Sequence, residues 1–227
     1  MEVALFGATG RTGRLVLEEA RRRGWTVRAL VRGAARLAPQ RGLEVAAGDT
    51  RDAAAVQAVV GHAGTAAGAR KPADAVICAL GMHDITVPAT DFSDSVKTLV
   101  AAMQRGGVRR IVAIASGGVF EAPGGGYRNQ QPEFPAYLQH ISAEHVRNYE
   151  ALRASGLDWT LMCPLALVED IPRGAGRHAI EALPAGSSET GYADLAATMC
   201  DLLGERASFG RRVGIVSDRP VAATHRP

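Results

Sequence analysis

The sequence predicts a doubly wound α/β domain built on a parallel sheet, and two observations carry this reading. Short apolar runs alternate with helical patterns along almost the whole chain, the mark of parallel strands joined by crossover helices. The middle run, Ala75-Val76-Ile77-Cys78-Ala79-Leu80, holds nothing polar, as expected of a strand covered on both faces. The chain has 227 residues, enough for a single domain with a full core, and 47% apolar against 22% charged residues excludes wholesale disorder.

Val3 to Phe6 is an apolar run closed by glycine and reads as the first strand. Arg11 to Arg23 sets Leu15, Val16 and Ala20 on one side and Glu18 and Glu19 on the other, an amphipathic helix that Gly24 ends. Thr26 to Val31 and Leu43 to Ala47 are the next two strands, and Ala53 to Val60 is a helix with Asp52 as its N-cap. Beyond the central strand come a helix at Ser93 to Arg105 and a fifth strand at Arg110 to Ala115. Residues 117–136 hold five glycines and three prolines without periodicity, so they read as a long connection. Tyr137 to Ala154 is a helix and Trp159 to Cys163 the sixth strand. A second Pro- and Gly-rich stretch fills 164–190, before a helix at Asp194 to Leu203 and a last strand at Arg212 to Val216. Residues 1–217 form the domain, and the tail 218–227 is expected to fray.

Composition narrows the function classes. Net charge is +3, and of 26 basic residues only Lys71 and Lys97 are lysines. No basic run is interleaved with aromatics, so no nucleic-acid surface is expected. No stretch approaches the ~20 apolar residues of a membrane span. Cys78, Cys163 and Cys200 are odd in number and widely spaced, which fits neither a disulfide framework nor a paired zinc site. No metal and a cytoplasmic location are expected.

Ligands of such folds bind beyond the carboxyl ends of the strands, where the strand order reverses. The first loop there is Gly7-Ala8-Thr9-Gly10-Arg11-Thr12-Gly13, after a strand and opening a helix. Glycines allow a tight turn and close approach to a pyrophosphate, the helix N-terminus offers N–H groups, and Thr9 or Thr12 adds a hydroxyl. The pattern is GxxGxxG, and no Gly-Lys-Ser/Thr follows, which excludes a P-loop. The domain is therefore Rossmann-like. The second strand ends not in the acid that holds a ribose but in Arg32, with Arg36 one helical turn on. Arginine there accommodates a 2′-phosphate, so NADP is favoured over NAD. Asp49, after the third strand, is placed to accept from the adenine amino group, to cap the helix at 52–60, or both.

These pieces resemble the atypical short-chain dehydrogenase/reductases with NmrA-like NAD(P)-binding domains. The likeness rests on the glycine loop, Leu30-Val31-Arg32, Gly48-Asp49, Ala75-Val76-Ile77 and the stretch from Leu152 to Thr160, and it covers roughly residues 1–205. His145-Val146-Arg147 and the small single domain are similar to the flavin- and biliverdin-reducing branch. One departure is informative. Tyr127, Tyr137, Tyr149 and Tyr192 are followed four residues later by Gln131, Ile141, Arg153 and Ala196, so the family's usual Tyr-x-x-x-Lys acid is missing. Alcohol–ketone interconversion and sugar epimerisation, which need that proton relay, lose support.

The resemblance implies an NADPH-dependent reductase that passes hydride to a planar conjugated acceptor such as a flavin, quinone or tetrapyrrole. The alternative is an NADP-binding redox sensor without turnover. The resemblance places Ser116 beside the nicotinamide, with a turn-stabilising serine as the alternative. It places Cys163, Pro164 and Leu165 beneath the ring. Leu80 and Gly81, with Met82 and His83, would flank the ribose. His145 shares a helix face with Leu138, Ile141 and Leu152, and either meets the substrate or makes a structural hydrogen bond. Residues 117–136, with Phe120, Tyr127 and Phe134, are expected to be a lid, and Arg173 and Arg177 to meet acidic groups of the acceptor. The expected partner is a small aromatic molecule, and the protein a monomer or homodimer.

Overall fold

The computed structural model describes residues 1–33, 37–38, 40–62, 70–82 and 84–219. The chain runs β1 (Glu2–Phe6), α1 (Arg11–Arg22), β2 (Thr26–Val31), β3 (Leu43–Ala47), α2 (Ala53–Val60), β4 (Ala75–Cys78), α3 (Asp91–Gly106) and β5 (Arg110–Ile114). It continues through short 3-10 turns to α4 (Gln139–Ala154), β6 (Asp158–Pro164), β7 (Ala166–Val168), β8 (Gly176–Ile180), β9 (Glu189–Gly191), α5 (Tyr192–Asp201) and β10 (Arg211–Ser217). Every expected helix and strand is present, with ends within two residues of expectation.

The sheet has eight strands in the order β3-β2-β1-β4-β5-β6-β10-β8. Successive residues of each central strand serve opposite faces, as the pleat requires. Ala4, Phe6, Val76, Cys78, Ile111 and Ala113 pack with α2, α3 and α4. Val3, Leu5, Ala75, Ile77 and Val112 pack with α1 and α5. The fold is Rossmann-like, and its strand order reverses between β1 and β4.

Two features depart from expectation. The stretch 164–190 holds three strands, β7, β8 and β9, and β8 closes the sheet antiparallel to β10. β7 and β9 are three residues long, and β8 is almost wholly exposed, so neither length nor alternation marks them. At the start of the expected tail, Asp218 accepts two hydrogen bonds from the Arg177 guanidinium, and Arg219 pairs with Asp170 and Glu189. Residues 220–227 lie outside the described residues.

Candidate functional site

A cleft of about 720 Å³ opens over the carboxyl ends of β1 to β5. Its floor is the turn after β1, where Gly10 N–H donates to the Gly7 carbonyl at 3.0 Å and Arg14 Nε to that of Thr9 at 3.1 Å. Gly7 has φ of 89°, and a Cβ there would stand 2.4 Å from the Ala79 carbonyl oxygen. A Cβ on Gly13 would stand 2.1 Å from the Gly7 oxygen. Gly10 differs, because its φ is an ordinary −75° and the nearest atom to an added Cβ is 3.4 Å away. Among the described residues nothing forbids a side chain at Gly10. α1 then begins with no side-chain cap and no acid in its first turn, so its N–H groups and positive dipole end face the cleft.

Gly7, Thr9, Gly10, Arg11, Thr12, Arg32, Asp49, Leu80, Gly81 and His145 all line this cleft, so the structure brings most of the sequence-derived residues together. Arg11 pairs with Glu169 at 3.4 Å and lies 4.8 Å over the Tyr192 ring. Arg36 and His83 lie outside the described residues. Arg32 is exposed at the end of β2. Asp49 does not cap α2; Asp52 does, accepting from the N–H groups of Ala54 and Ala55. The Asp49 carboxylate instead accepts from Arg51, through its backbone N–H at 2.8 Å and its Nε at 3.0 Å. Those hydrogen bonds, with the charges of Arg51 and then Arg32, hold its carboxyl below the usual range. Arg51 also reaches Asp91 at 2.9 Å, and Thr50 bonds Ser95 at 2.8 Å, so the loop after β3 is tied to α3.

Other expected residues stand behind the wall. Gly13 shapes the turn without lining the cleft. The Ser116 Oγ is buried with no hydrogen-bond partner, while Ile114 and Ala115 form the surface there. Cys163 and Pro164 are buried in β6, and Leu165 packs against Gly117, where a Cβ would stand 2.8 Å from its Cδ2. Burial pushes the Cys163 thiol far above the ordinary thiol range, so it is inert.

The expected lid is not a lid. Among the described residues none of 117–136 lines the cleft. Val119, Phe120 and Ala122 are buried, Phe120 lies under the Arg212 guanidinium, and Tyr127 packs edge-on against Tyr149. Nor do the two arginines meet the cleft: Arg173 donates to Glu19 and Arg177 to Asp218. The wall is made instead by the connection from β4 to α3, with Met82, Asp84, Ile85, Val87 and Ala89. Sequence reasoning missed this segment from Asp84 onward, and it missed Arg51, Leu167 and Tyr192, because none carries a periodic or motif signal.

His145 is buried, with its ring edge-on to Phe92 at 5.4 Å and its Nδ1 without a partner. Burial lowers its pKa to about 3. It therefore holds no positive charge near neutral pH. The unfolded chain protonates this residue below ~6.5 while the folded chain does not, so it weakens folding as pH falls. At pH 5 the loss is roughly 2 kcal/mol relative to pH 7. His145→Leu is expected to flatten the fall of melting temperature between pH 7 and pH 5; an unchanged slope would show that the histidine titrates freely.

Residues 7–206 match the NAD(P)H-binding family. The chain belongs to that family. The chain is also similar in structure to a candidate exported protein from Burkholderia pseudomallei, with a TM-score of 0.77 and 26% identity over 95% of this chain and 99% of that one. A candidate NADH-flavin reductase from Streptococcus pneumoniae has a TM-score of 0.76 and 21% identity, covering 96% and 100%. A candidate epimerase from Bacteroides thetaiotaomicron has a TM-score of 0.78 and 22% identity, covering 95% and 96%. The family and the fold agree with the atypical short-chain dehydrogenase/reductase resemblance. No described helix is long and apolar enough to cross a membrane. The residues present fit a nicotinamide dinucleotide, since Gly10 leaves open the space a Cβ would fill and the α1 N–H groups beside it are uncapped.

Proposed function

We propose that this protein is an NADPH-dependent reductase that delivers hydride to a planar conjugated acceptor. The observation that carries the cofactor choice is Arg32: it is exposed on the cleft wall and, among the described residues, forms no ion pair, while the nearby acid Asp49 is held by Arg51. A ribose 2′-phosphate meets a guanidinium without an ion pair there, whereas among the described residues the carboxylate nearest the end of β2, that of Asp49, is already taken by Arg51. Bound NADPH would supply two electrons and a proton as hydride and leave as NADP⁺, and the acceptor takes its second proton from water.

The chain's own contribution is positioning. The α1 N-terminus and the Gly7–Gly13 turn hold the pyrophosphate, and Leu80 and Gly81 flank the ribose. Met82, Ile85, Val87 and Ala89, with Ile114, Ala115 and Ile141, exclude water from the reacting face. His145, neutral in its pocket, acts by packing or as a neutral hydrogen-bond partner. Ser116, whose buried hydroxyl is unpartnered, sits one residue behind that face. With no Tyr-x-x-x-Lys acid, the acceptor must be one whose reduction needs no dedicated proton donor. Three buried free cysteines suit a reducing cytoplasm.

The test is oxidation of NADPH and NADH, followed by absorbance at ~340 nm with a panel of uncharged and anionic acceptors. Arg32→Ala is expected to raise the NADPH KM about tenfold or more, ~1.4 kcal/mol, and to leave NADH unchanged. Equal loss with both cofactors would remove the 2′-phosphate role. Cofactor binding without oxidation of any acceptor would instead favour the redox sensor.

A further inference from the structure

Arg51 is a cation of the cleft that no sequence signal marks, and the backbone sets it beside Arg32. β2 and β3 run parallel to their ends, where the Gly48 N–H donates to the Val31 carbonyl at 3.0 Å. Arg32 and Asp49 therefore each leave the sheet one residue beyond a bonded pair, and the Arg32 charge is felt at the Asp49 carboxyl. Arg51 grips that carboxylate with both prongs of its fork, Nε to Oδ1 at 3.0 Å and Nη2 to Oδ2 at 3.2 Å. Its Nη1 donates to Asp91 Oδ1 at 2.9 Å. All four side chains line the same cleft.

The loop has other fastenings than these pairs. Gly48 packs on α2, where a Cβ would stand 2.6 Å from that of Ala55. Thr50 bonds Ser95 on α3 at 2.8 Å, and Asp52 caps α2. The Arg51 side chain is 51% exposed, Asp49 40% and Asp91 76%, and ion pairs in that much water contribute little. A guanidinium held so loosely, with a fork that fits a phosphate as well as a carboxylate, changes partners at small cost. What the change releases is Asp49, the carboxylate that the sequence offers to the adenine amino group.

We propose that Arg51 is a specificity-determining residue that makes adenine recognition conditional on the 2′-phosphate. With NADPH, the phosphate set between Arg32 and Arg51 draws Arg51 from Asp49, and the freed carboxylate accepts from the adenine amino group. With NADH nothing draws Arg51 away, and Asp49 stays engaged. The inference rests on the NADPH reading, and its test separates the two.

Four ligands test it by calorimetry: NADP⁺, NAD⁺ and the deamino form of each, in which a carbonyl replaces the adenine amino group. In the wild-type protein, deamination is expected to weaken NADP⁺ about fivefold or more and NAD⁺ less than about twofold. Arg51→Met is expected to cut the preference for NADP⁺ over NAD⁺ about fivefold and to make the two deamination penalties equal. Asp49→Ala is expected to abolish both penalties and keep the preference. Equal penalties in the wild-type protein would overturn the inference. So would an Arg51→Met variant that weakens all four ligands alike, the mark of a mere loop brace. A preference for NADP⁺ that survives Arg51→Met in full would overturn it and leave the NADPH reading standing. No preference in the wild-type protein would overturn both.

Discussion

Gly10→Ala and Gly13→Ala, three residues apart on one turn, are expected to fail in opposite ways. At Gly13 a methyl would stand 2.1 Å from the Gly7 carbonyl oxygen and 2.7 Å from its carbon, and both are backbone atoms that cannot step aside. Overpacking of this kind costs about 1–3 kcal/mol, and here it displaces the turn that pins α1 to β1. The variant should melt several degrees lower with or without cofactor. At Gly10 the same methyl finds room, and the loss of a glycine N-cap costs less than about 1 kcal/mol. What the methyl occupies is the approach to the uncapped N–H groups of α1. NADPH affinity should fall at least tenfold, ~1.4 kcal/mol, in a protein that still melts normally. Fluorescence titration and thermal melting on the two variants decide the matter. Normal affinity in Gly10→Ala would mean that the dinucleotide does not lie against this turn.

Arg212→Met is expected to give the largest loss of stability. The guanidinium is almost fully buried, with Nε and Nη2 on Glu181 at 3.0 and 2.7 Å and Nη1 on the Val119 carbonyl at 2.9 Å. It also pairs with Glu121 at 2.7 Å and lies 4.9 Å from the centre of the Tyr149 ring. It thereby fastens three parts of the chain: β10, the 117–136 connection and the turn after β8. Removing one partner of a buried pair costs about 3–5 kcal/mol, and the partial exposure of both glutamates argues for the lower end. Glu181, with φ of 56°, would also lose the contacts that hold it in that conformation. A fall in melting temperature of roughly 6–12 °C follows for a chain of this size. A loss below about 1 kcal/mol in urea titration would show that the network is worth little. Adding Glu181→Gln and Glu121→Gln should recover part of the loss by removing stranded charge.

The central sheet was legible because burial on both faces leaves continuous apolar runs, and the helices because one face of each must be polar. The glycine turn was legible for a related reason: Gly7 and Gly13 answer to backbone contacts that any such turn makes. β8 was not legible, because Gly176-Arg177-His178-Ala179-Ile180 sits at the sheet edge and buries no side. The 117–136 connection misled because its aromatics resemble ligand contacts, whereas Phe120 and Tyr127 pack against Arg212 and Tyr149. The wall at 84–89 could not be found by pattern, since its place is set by where β4 ends relative to α4. The Asp49–Arg51 pair lies two residues apart in a loop without periodicity, so the sequence offered Asp49 as an adenine contact or a cap and not as the partner of Arg51.

The contact under Gly7 has a consequence for how the protein is made. The motif from Gly7 to Gly13 is contiguous in sequence, but its floor is the carbonyl of Ala79, fixed by a 2.8 Å hydrogen bond from Ala79 N–H to the Phe6 oxygen. A nascent chain that has emerged only as far as residue 70 holds every glycine of the motif and none of that support. The glycine turn thus takes shape only after β4 has been synthesised and has docked beside β1, on the far side from β2.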